Sequence, residues 1–174
     1  MGSRKLSFDM PAESAVVFDA FHYHHWRHQW DSLVESTAVV CGAPCPYPGA
    51  LTQRQGNGCL GALSMRTRFV TYAPPRLAAA RMEGECFPFE RWAASMRHVE
   101  LAPSGSTLIY TYSLDTRPRW ARWWMAPMVD LVFQYQTRKR FRRLQAFLHH
   151  HADEIRAWQE TRTQPPTCAT VANH

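Results

Sequence analysis

The N-terminal part of the chain changes its hydrophobic period twice. Residues 4–10 alternate loosely between apolar and polar positions, which predicts a first β-strand. Residues 11–21 carry apolar side chains at helical spacing, with Pro11 suited to a first turn, so they predict a helix. Residues 22–32 predict a second short helix, and the apolar run at 33–41 predicts a strand. The chain therefore begins with the order strand, helix, helix, strand.

The middle of the chain is a run of short β-patterns separated by turn residues. Residues 42–49 are dense in Pro and Gly and predict a loop, and QGNG at 55–58 predicts a turn. Residues 76–83 are expected to form a strand, although the three consecutive alanines at 78–80 would also allow a helix there. Short links between strands favour an antiparallel meander with a hairpin at its end. The strands are expected at 50–55, 61–73, 76–83, 89–102 and 107–114.

The last element is the longest and runs from about Trp120 to about Trp158. Apolar residues follow helical spacing along one side of it, and arginine and lysine residues lie largely on the other sides. Pro127 is expected to kink or divide this helix. Residues 159–174 are polar, contain proline and lack periodicity, which predicts a disordered tail. The apolar side of the helix consists of Phe133, Thr137, Phe141, Leu144 and Leu148.

This order of elements predicts an α+β domain in which one antiparallel sheet is covered by the final helix. A sheet with an apolar face needs a cover, and only the last helix is long enough to supply it. A strongly curved sheet around one helix leaves a space between them. We therefore expect a ligand pocket in that space.

Three segments carry a resemblance to a known family: VTYAPPRLAAAR (70–81), RHVELAPSGSTLIYTYSL (97–114) and RKRFRRLQAFL (138–148). The first is similar to a strand that ends in tyrosine before a Pro-Pro turn, and the second to a hairpin with Pro, Gly and Thr. They resemble the START-like superfamily, also called SRPBCC or Bet v 1-like, and within it the bacterial polyketide cyclase/dehydrase proteins. The resemblance implies a helix-grip fold, with a curved antiparallel β-sheet wrapped around a long C-terminal helix and two short N-terminal helices. We place this domain at residues 4–158.

The resemblance bears on fold more than on chemistry, because the matching motifs mark turns and core positions. The superfamily includes lipid carriers, hormone receptors and aromatase/cyclases, and it has no universal catalytic residue to transfer. The stretch between the first helix and the second strand is unusually rich in His and Trp, which is not a feature of the family that we recognise. Fold and function are therefore separate questions for this chain.

Composition narrows the class of protein. The net charge is +6 with a pI near 9.4, which we interpret as a basic solvated face, because no nucleic-acid-binding motif accompanies it. The five cysteines lack CxxC spacing and predict free thiols. The sequence has no apolar run long enough to span a membrane and no signal-peptide core, so we expect a cytoplasmic protein. No cofactor is expected: the GxGxxG of Gly56, Gly58 and Gly61 precedes a β-pattern rather than a helix, which favours a hairpin turn.

Aromatic residues on two neighbouring strands are the main candidates for a ligand site. Side chains alternate along a strand, so Trp92, Met96 and His98 share one face, and Tyr110 and Tyr112 share a face of the next strand. If these faces point inward, they form an aromatic pocket suited to a planar or polycyclic ligand. His98 is also a candidate general acid or base, or else a wall histidine without a catalytic role. The full predicted ligand-binding set is Trp26, Trp30, Phe69, Trp92, Met96, His98, Tyr110, Tyr112, Phe133 and Phe141.

The His- and Trp-rich segment 22–30 has three interpretations. Trp26 and Trp30 with their neighbouring histidines would form a lid over the pocket mouth, or they would simply pack in the core. His24 and His28 are spaced for one helix face and would be a metal pair, but no Glu or Cys stands at a matching spacing. We therefore assign no metal ligands.

Two further groups contain arginine. Arg66 and Arg68 share one face of a strand, and they would either grip a ligand carboxylate from inside or lie in solvent. A second group, at the start of the last helix, combines arginine with tryptophan. It is a candidate for peripheral membrane contact, or else it packs over the cavity mouth with the arginine stems covering the aromatic rings. It consists of Arg119, Trp120, Trp123 and Trp124.

Three functions are consistent with the sequence. The first is a non-catalytic binder of a small hydrophobic molecule, such as a lipid, an isoprenoid or an aromatic, polyketide-like metabolite. The second is a metal-independent cyclase, aromatase or dehydratase that uses the same cavity, with His98 moving protons. The third is a peripheral protein that works at a membrane surface. The sequence lacks GxSxG, P-loop and kinase signatures, which argues against hydrolysis by a serine nucleophile and against phosphoryl transfer.

Overall fold

A computed structural model describes the chain at residues 3–31, 34–39, 42–56, 64–84, 86–117, 120 and 122–162. Its secondary structure follows the predicted order. The elements are β1 (Ser3–Met10), α1 (Ser14–His22), α2 (His24–Trp30), β2 (Val34–Val39), β3 (Leu51–Gly56), β4 (Ser64–Ala73), β5 (Leu77–Glu83), β6 (Phe89–Leu101), β7 (Gly105–Thr116) and α3 (Arg122–Thr161).

The strands form one antiparallel sheet in the order β1-β7-β6-β5-β4-β3-β2. Strands β2 to β7 therefore follow one another as a meander, and the first strand returns to pair with the last. The predicted helix-grip α+β fold is confirmed. The alanine-rich segment that left a helix open is the strand β5, because Ala78 and Ala80 pair with neighbours on both sides.

The turns explain how so many strands follow one another closely. The Arg76 amide donates to the Ala73 carbonyl at 2.9 Å and closes the Pro-Pro turn between β4 and β5. Gly84 follows β5 with a φ of +82°, a left-handed conformation that favours glycine. Of the predicted QGNG turn, the first two residues belong to β3, and residues 57 and 58 lie outside the described part of the chain, as does the predicted tail from residue 163 onwards.

Helix α3 is one helix of 40 residues and runs through Pro127 without a break. Of the two alternatives for this proline, division of the helix was therefore wrong, and a kink stays a prediction. Pro127 lies in the second turn, where it removes one backbone hydrogen bond close to the start of the helix. The helix ends at Thr161 rather than at 158.

The hydrophobic core has two parts. The larger part joins α1, α2, β1, β7 and the C-terminal half of α3, and it includes Val17, Phe21, Phe141, Leu144 and Ile155. The smaller part lies under α1 on the same face of the sheet, toward β4 and β5, and consists of Phe18, Phe69, Ala78 and Ala80, with Tyr72 packed against it. Between these two parts lies the inner face of β6.

Candidate functional site

The inner face of β6 carries the predicted pocket residues. Trp92, Met96 and His98 are buried, as the alternation required, and Ala94 lies between them on the same face. The sheet register places Ala94 directly between Ala80 of β5 and Tyr112 of β7. The side chains in the middle of this face are therefore those of two alanines, Ala80 and Ala94.

Helix α3 meets the sheet through aromatic residues that rest on β7. The Phe133 ring lies 4.7 Å from the Tyr112 ring, and the Phe141 ring lies 5.4 Å from the Tyr110 ring. Beside these contacts, the inward-facing side chains of the sheet are only the short ones of Ala80 and Ala94. Ala94 lies on the inner face and yet is only partly buried, as is Phe133 of the helix. Side chains therefore fill the space between β6 and α3 incompletely.

His98 lies at the α1 end of this face. Its side chain is only 5% exposed, its ring packs edge-on against Phe18 at 5.5 Å, and neither ring nitrogen has a hydrogen-bond partner among the described residues. Burial lowers the pKa of His98 from 6.5 to about 4. His98 is therefore neutral at pH 7, where it can donate one hydrogen bond and accept one.

The same face has two more polar atoms without partners. The Trp92 indole nitrogen and the Thr116 hydroxyl are buried, and neither has a hydrogen-bond partner in the described part of the chain. Trp92 stands opposite Leu114 on β7, so Thr116 is its diagonal neighbour on the inner face. Buried polar groups normally have partners, so these atoms and His98 mark the face as a place where a bound molecule would supply them.

A closed hydrogen-bond network lies beside the unpaired atoms. The Tyr112 hydroxyl donates to the Asp130 carboxylate of α3 at 2.7 Å, and Gln134 donates to the other oxygen of that carboxylate at 3.0 Å. Arg4 of β1 completes the network with an ion pair of 3.2 Å to Asp130. Burial and the hydrogen bond to Asp130 both raise the pKa of Tyr112. This network fixes the position of α3 over β7.

Phe69 and the two α2 tryptophans have different surroundings. Phe69 pairs with Ala80 on the sheet and belongs to the smaller core cluster. The Trp30 indole donates to the Ala20 carbonyl at 3.0 Å, and the Trp26 ring contacts Trp158 of α3. The structure thus brings Phe69 next to Ala80 and places Trp26 and Trp30 within the helical core. In the described ranges, no group of three or more metal-ligating side chains occurs, including around His24 and His28.

The structure contains a buried ion cluster that the sequence analysis missed. Arg27 of α2 donates to the Asp31 carboxylate at 2.9 Å, and Arg140 of α3 donates to the same oxygen at 3.0 Å. Burial alone would raise the pKa of Asp31, but the two guanidinium groups hold it well below its usual range. Both guanidinium groups also lie over the Phe21 ring. The spacing of Arg27 and Asp31 was a usable local signal, whereas nothing in the sequence linked them to Arg140.

The strand arginines lie on the outer face of the sheet. Arg66 is exposed, and Arg68 forms a two-pronged pair with Glu83 of β5 at 2.9 Å. Their neighbour Thr67 points inward and is buried. The alternative that placed these arginines in the pocket as a carboxylate grip is therefore wrong, and the solvent-facing alternative is confirmed.

The predicted membrane-contact group is exposed where the structure describes it. Trp120 is 78% exposed and Trp123 is 82% exposed, while Trp124 is about half exposed. Arg119 lies outside the described residues. Within the described ranges, no helix has the length and apolar character needed to cross a membrane.

Comparison with known proteins supports the fold. No protein-family model and no curated protein matches the sequence. Among solved structures, the Zhui aromatase/cyclase from a Streptomyces strain is similar, with a TM-score of 0.68, 11% identity, and coverage of 86% of this chain and 94% of that chain. XoxI from Bacillus cereus (TM-score 0.65, 12% identity, 85% and 96% coverage) and Ara h 8.0201 (TM-score 0.62, 12% identity, 84% and 98% coverage) are also similar. The chain thus has the helix-grip fold that its resemblance to the START-like superfamily implied.

Proposed function

We propose that this protein binds a small hydrophobic molecule between β6 and the N-terminal half of α3. The observation that carries the proposal is Ala94, an inward-facing residue under a helix that nevertheless stays partly accessible. Well-packed interiors leave little space of this kind. The ligand would lie on Ala94 and Ala80, between the rings of Trp92 and Tyr112.

The chemistry of the walls narrows the ligand class. The side chains around Ala94 are aromatic or aliphatic, which suits a lipid, an isoprenoid or an aromatic, polyketide-like metabolite. The unpaired atoms of His98, Trp92 and Thr116 would give such a ligand hydrogen bonds at separate points of the face. The Asp130 carboxylate, which accepts from Tyr112 beside the site, already pairs with Arg4, which favours an uncharged ligand.

A cyclase or dehydratase is the second candidate. The likeness to an aromatase/cyclase favours it only through the fold, since the identity is 11%. His98 is its candidate proton carrier. The low pKa of His98 makes it a weak base, and no side chain among the described residues forms a hydrogen bond with its ring, so its geometry fits a hydrogen-bonding role better than acid–base catalysis. Binding therefore remains the preferred function.

The substitution Ala94→Leu tests ligand binding directly. A leucine would occupy the space that we assign to the ligand, whereas Ala93→Leu adds the same atoms to the outer face of the same strand. We expect native mass spectrometry to show a co-purified small molecule on the wild type and on the Ala93 variant. The Ala94 variant should lack it and should still melt within a few degrees of the wild type.

The stability measurement also tests whether the space exists. Adding methylene groups to a filled core typically costs about 1–3 kcal/mol. If Ala94→Leu lowers the free energy of unfolding by that amount, the interior is already packed and the proposal is wrong. A wild type without bound mass that converts a polyketide-type substrate, and loses this turnover in His98→Leu, would support the cyclase instead.

Contact with a membrane surface is a separate candidate function, proposed for Arg119, Trp120, Trp123 and Trp124. The exposure of Trp120 and Trp123 supports it, because large aromatic side chains are costly to leave in water and are enriched at bilayer interfaces. This candidate does not depend on the identity of the internal ligand.

A further inference from the structure

The outward face of α3 is apolar over its N-terminal half. Trp124, Met128, Leu131, Val132 and Tyr135 follow one another at spacings of four, three, one and three residues, which places them on a single face of the helix. Each of them is between 47% and 66% exposed. The opposite face of the same turns carries Phe133 and covers the ligand site. This part of α3 is therefore apolar on both sides, although only one side is covered.

The same outward face becomes basic in the next two turns. Arg138, Lys139 and Arg142 follow Tyr135 by three, four and seven residues, and all three are exposed. Between residues 122 and 152 the sequence contains a single acidic residue, Asp130, and its carboxylate is held by Tyr112, Gln134 and Arg4. The outward face thus combines an apolar stripe with cations, and no acidic side chain opposes them there.

A second element adds an aromatic residue at the same end of the molecule. Phe87, in the turn between β5 and β6, is 68% exposed. The Arg117 amide donates to the Pro88 carbonyl at 2.9 Å, and the Phe89 ring lies 6.3 Å from the Phe133 ring of α3. These contacts hold the turn that carries Phe87 against the region where α3 begins.

We propose that the outward face of α3 from Trp124 to Arg142, with Phe87 beside it, docks on an anionic lipid bilayer. The proposal rests on the membrane-contact candidate above and extends it along the helix from Trp124 to Arg142, about five further turns. The apolar stripe would enter the interface between headgroups and acyl chains, and the three cations would meet lipid phosphates and carboxylates. A second copy of this chain would bring cations of the same sign and a net charge of +6, which disfavours self-association through this face.

Docking in this orientation would place the ligand site next to the bilayer. Phe133 covers the site on the inner side of the same helical turns that carry Met128 and Leu131 outward. A hydrophobic ligand would then pass between protein and lipid around one helix rather than through water.

Vesicle sedimentation tests the proposal with matched variants. The full-length protein is mixed with phosphatidylcholine vesicles, with or without phosphatidylserine. We expect it to sediment with the phosphatidylserine-containing vesicles, and the variant Met128→Ser/Leu131→Ser to lose about tenfold or more in partition. Arg138→Gln/Arg142→Gln should lose a similar factor, and its residual binding should depend less on salt.

The outer face of the sheet supplies the controls. Val99→Ser/Leu101→Ser removes two exposed apolar side chains, and Arg81→Gln/Arg97→Gln removes two exposed cations. Both control variants should sediment as the wild type does. All variants should keep the circular dichroism spectrum and the co-purified mass of the wild type, because none of the altered side chains faces the ligand site.

Three outcomes would overturn the proposal, and they are distinguishable. A wild type that ignores all vesicles removes the membrane-contact candidate itself. Sedimentation that is lost in Trp120→Ser/Trp123→Ser but unchanged in Met128→Ser/Leu131→Ser keeps that candidate and confines it to the start of the helix. A dimer in analytical ultracentrifugation that Met128→Ser/Leu131→Ser dissociates would assign this face to a second copy of the chain.

Discussion

Asp31 and His98 are both buried polar side chains, but their surroundings are opposite. Asp31 accepts hydrogen bonds from Arg27 of α2 and Arg140 of α3. His98 has no hydrogen-bond partner on either ring nitrogen among the described residues, and its ring contact is the apolar Phe18. One region ties two helices together, and the other leaves its polar atoms open toward the inner face of the sheet.

The contrast separates a structural region from a candidate binding region. Both bonds to Asp31 go to its Oδ2, and Oδ1 has no hydrogen-bond partner in the described part of the chain. A buried charge held between opposite charges is nevertheless costly to disturb, because removing one partner strands the others. A buried polar group without a partner already costs stability, and a molecule that supplies the missing hydrogen bond recovers it. The inner face of β6 and β7 thus lowers the stability of the ligand-free protein, because the Trp92 indole nitrogen and the Thr116 hydroxyl lack hydrogen-bond partners among the described residues, as His98 does.

The largest effect is expected at the paired region. The substitution Asp31→Asn keeps the shape of the side chain but removes its charge, so two guanidinium groups remain without their counter-ion. We expect the free energy of unfolding to fall by about 3–5 kcal/mol, measured by urea denaturation at pH 7.

The exposed pair of Arg68 and Glu83 is the control for this prediction. Its geometry is as good as that of the buried cluster, with two contacts of 2.9 Å, but both side chains lie in solvent. Glu83→Gln should therefore change stability little. Equal losses in the two variants would show that burial does not distinguish the pairs, and the comparison would fail.

A smaller and pH-dependent effect is expected at His98. The unfolded chain takes up a proton on this residue as the pH falls below 6.5, whereas the folded chain does so only near its lowered pKa of about 4. Stability from this group is therefore constant above about pH 7.5 and falls between pH 6.5 and 4, by about 3 kcal/mol in all. His98→Leu should lose this part of the acid slope and remain at least as stable as the wild type at pH 7.

The pH window also separates the two regions. Because the pKa of Asp31 lies below its usual value of 3.8, the stability from Asp31 is lost only at pH values below that of the His98 transition. The difference between wild type and His98→Leu should therefore be flat above pH 7.5 and largest near pH 4. A difference that is the same at every pH would mean that His98 titrates alike in the folded and unfolded chain.

The sequence predicted the framework well, because local patterns determine it. Alternation along 89–102 placed Trp92, Met96 and His98 on one face, and the burial of those side chains confirms that they share the inside. The sequence did not show whether that face points inward or outward, since a shift of one residue exchanges inside and outside. Only the sheet register fixed it, and the same register turned Arg66 and Arg68 outward.

Long-range pairing is what the sequence could not show. Arg140 lies 109 residues from Asp31, and its cationic neighbours Arg138 and Lys139 face solvent instead. Trp26 and Trp30 were predicted pocket residues because of their type, but the packing of α2 on α3 places them in the helical core. Residue type alone does not distinguish an aromatic residue that lines a pocket from one that fills a core.

The smallest and most discriminating effect is expected from two threonines. Thr116 and Thr67 are both fully buried in strands. The Thr67 hydroxyl is 2.7 Å from the Thr52 hydroxyl, while the Thr116 hydroxyl has no hydrogen-bond partner among the described residues. Valine has the same shape without the hydroxyl. Thr67→Val should therefore lower the free energy of unfolding by about 1 kcal/mol, and Thr116→Val should raise it by about 1 kcal/mol in ligand-free protein, both measured by urea denaturation.

A ligand that forms a hydrogen bond with Thr116 in the wild type would cancel this difference. In protein purified with such a ligand, Thr116→Val should not be more stable than the wild type. A loss of stability in both variants would mean that Thr116 has a partner in solution, and the unpaired region would then be limited to His98 and Trp92.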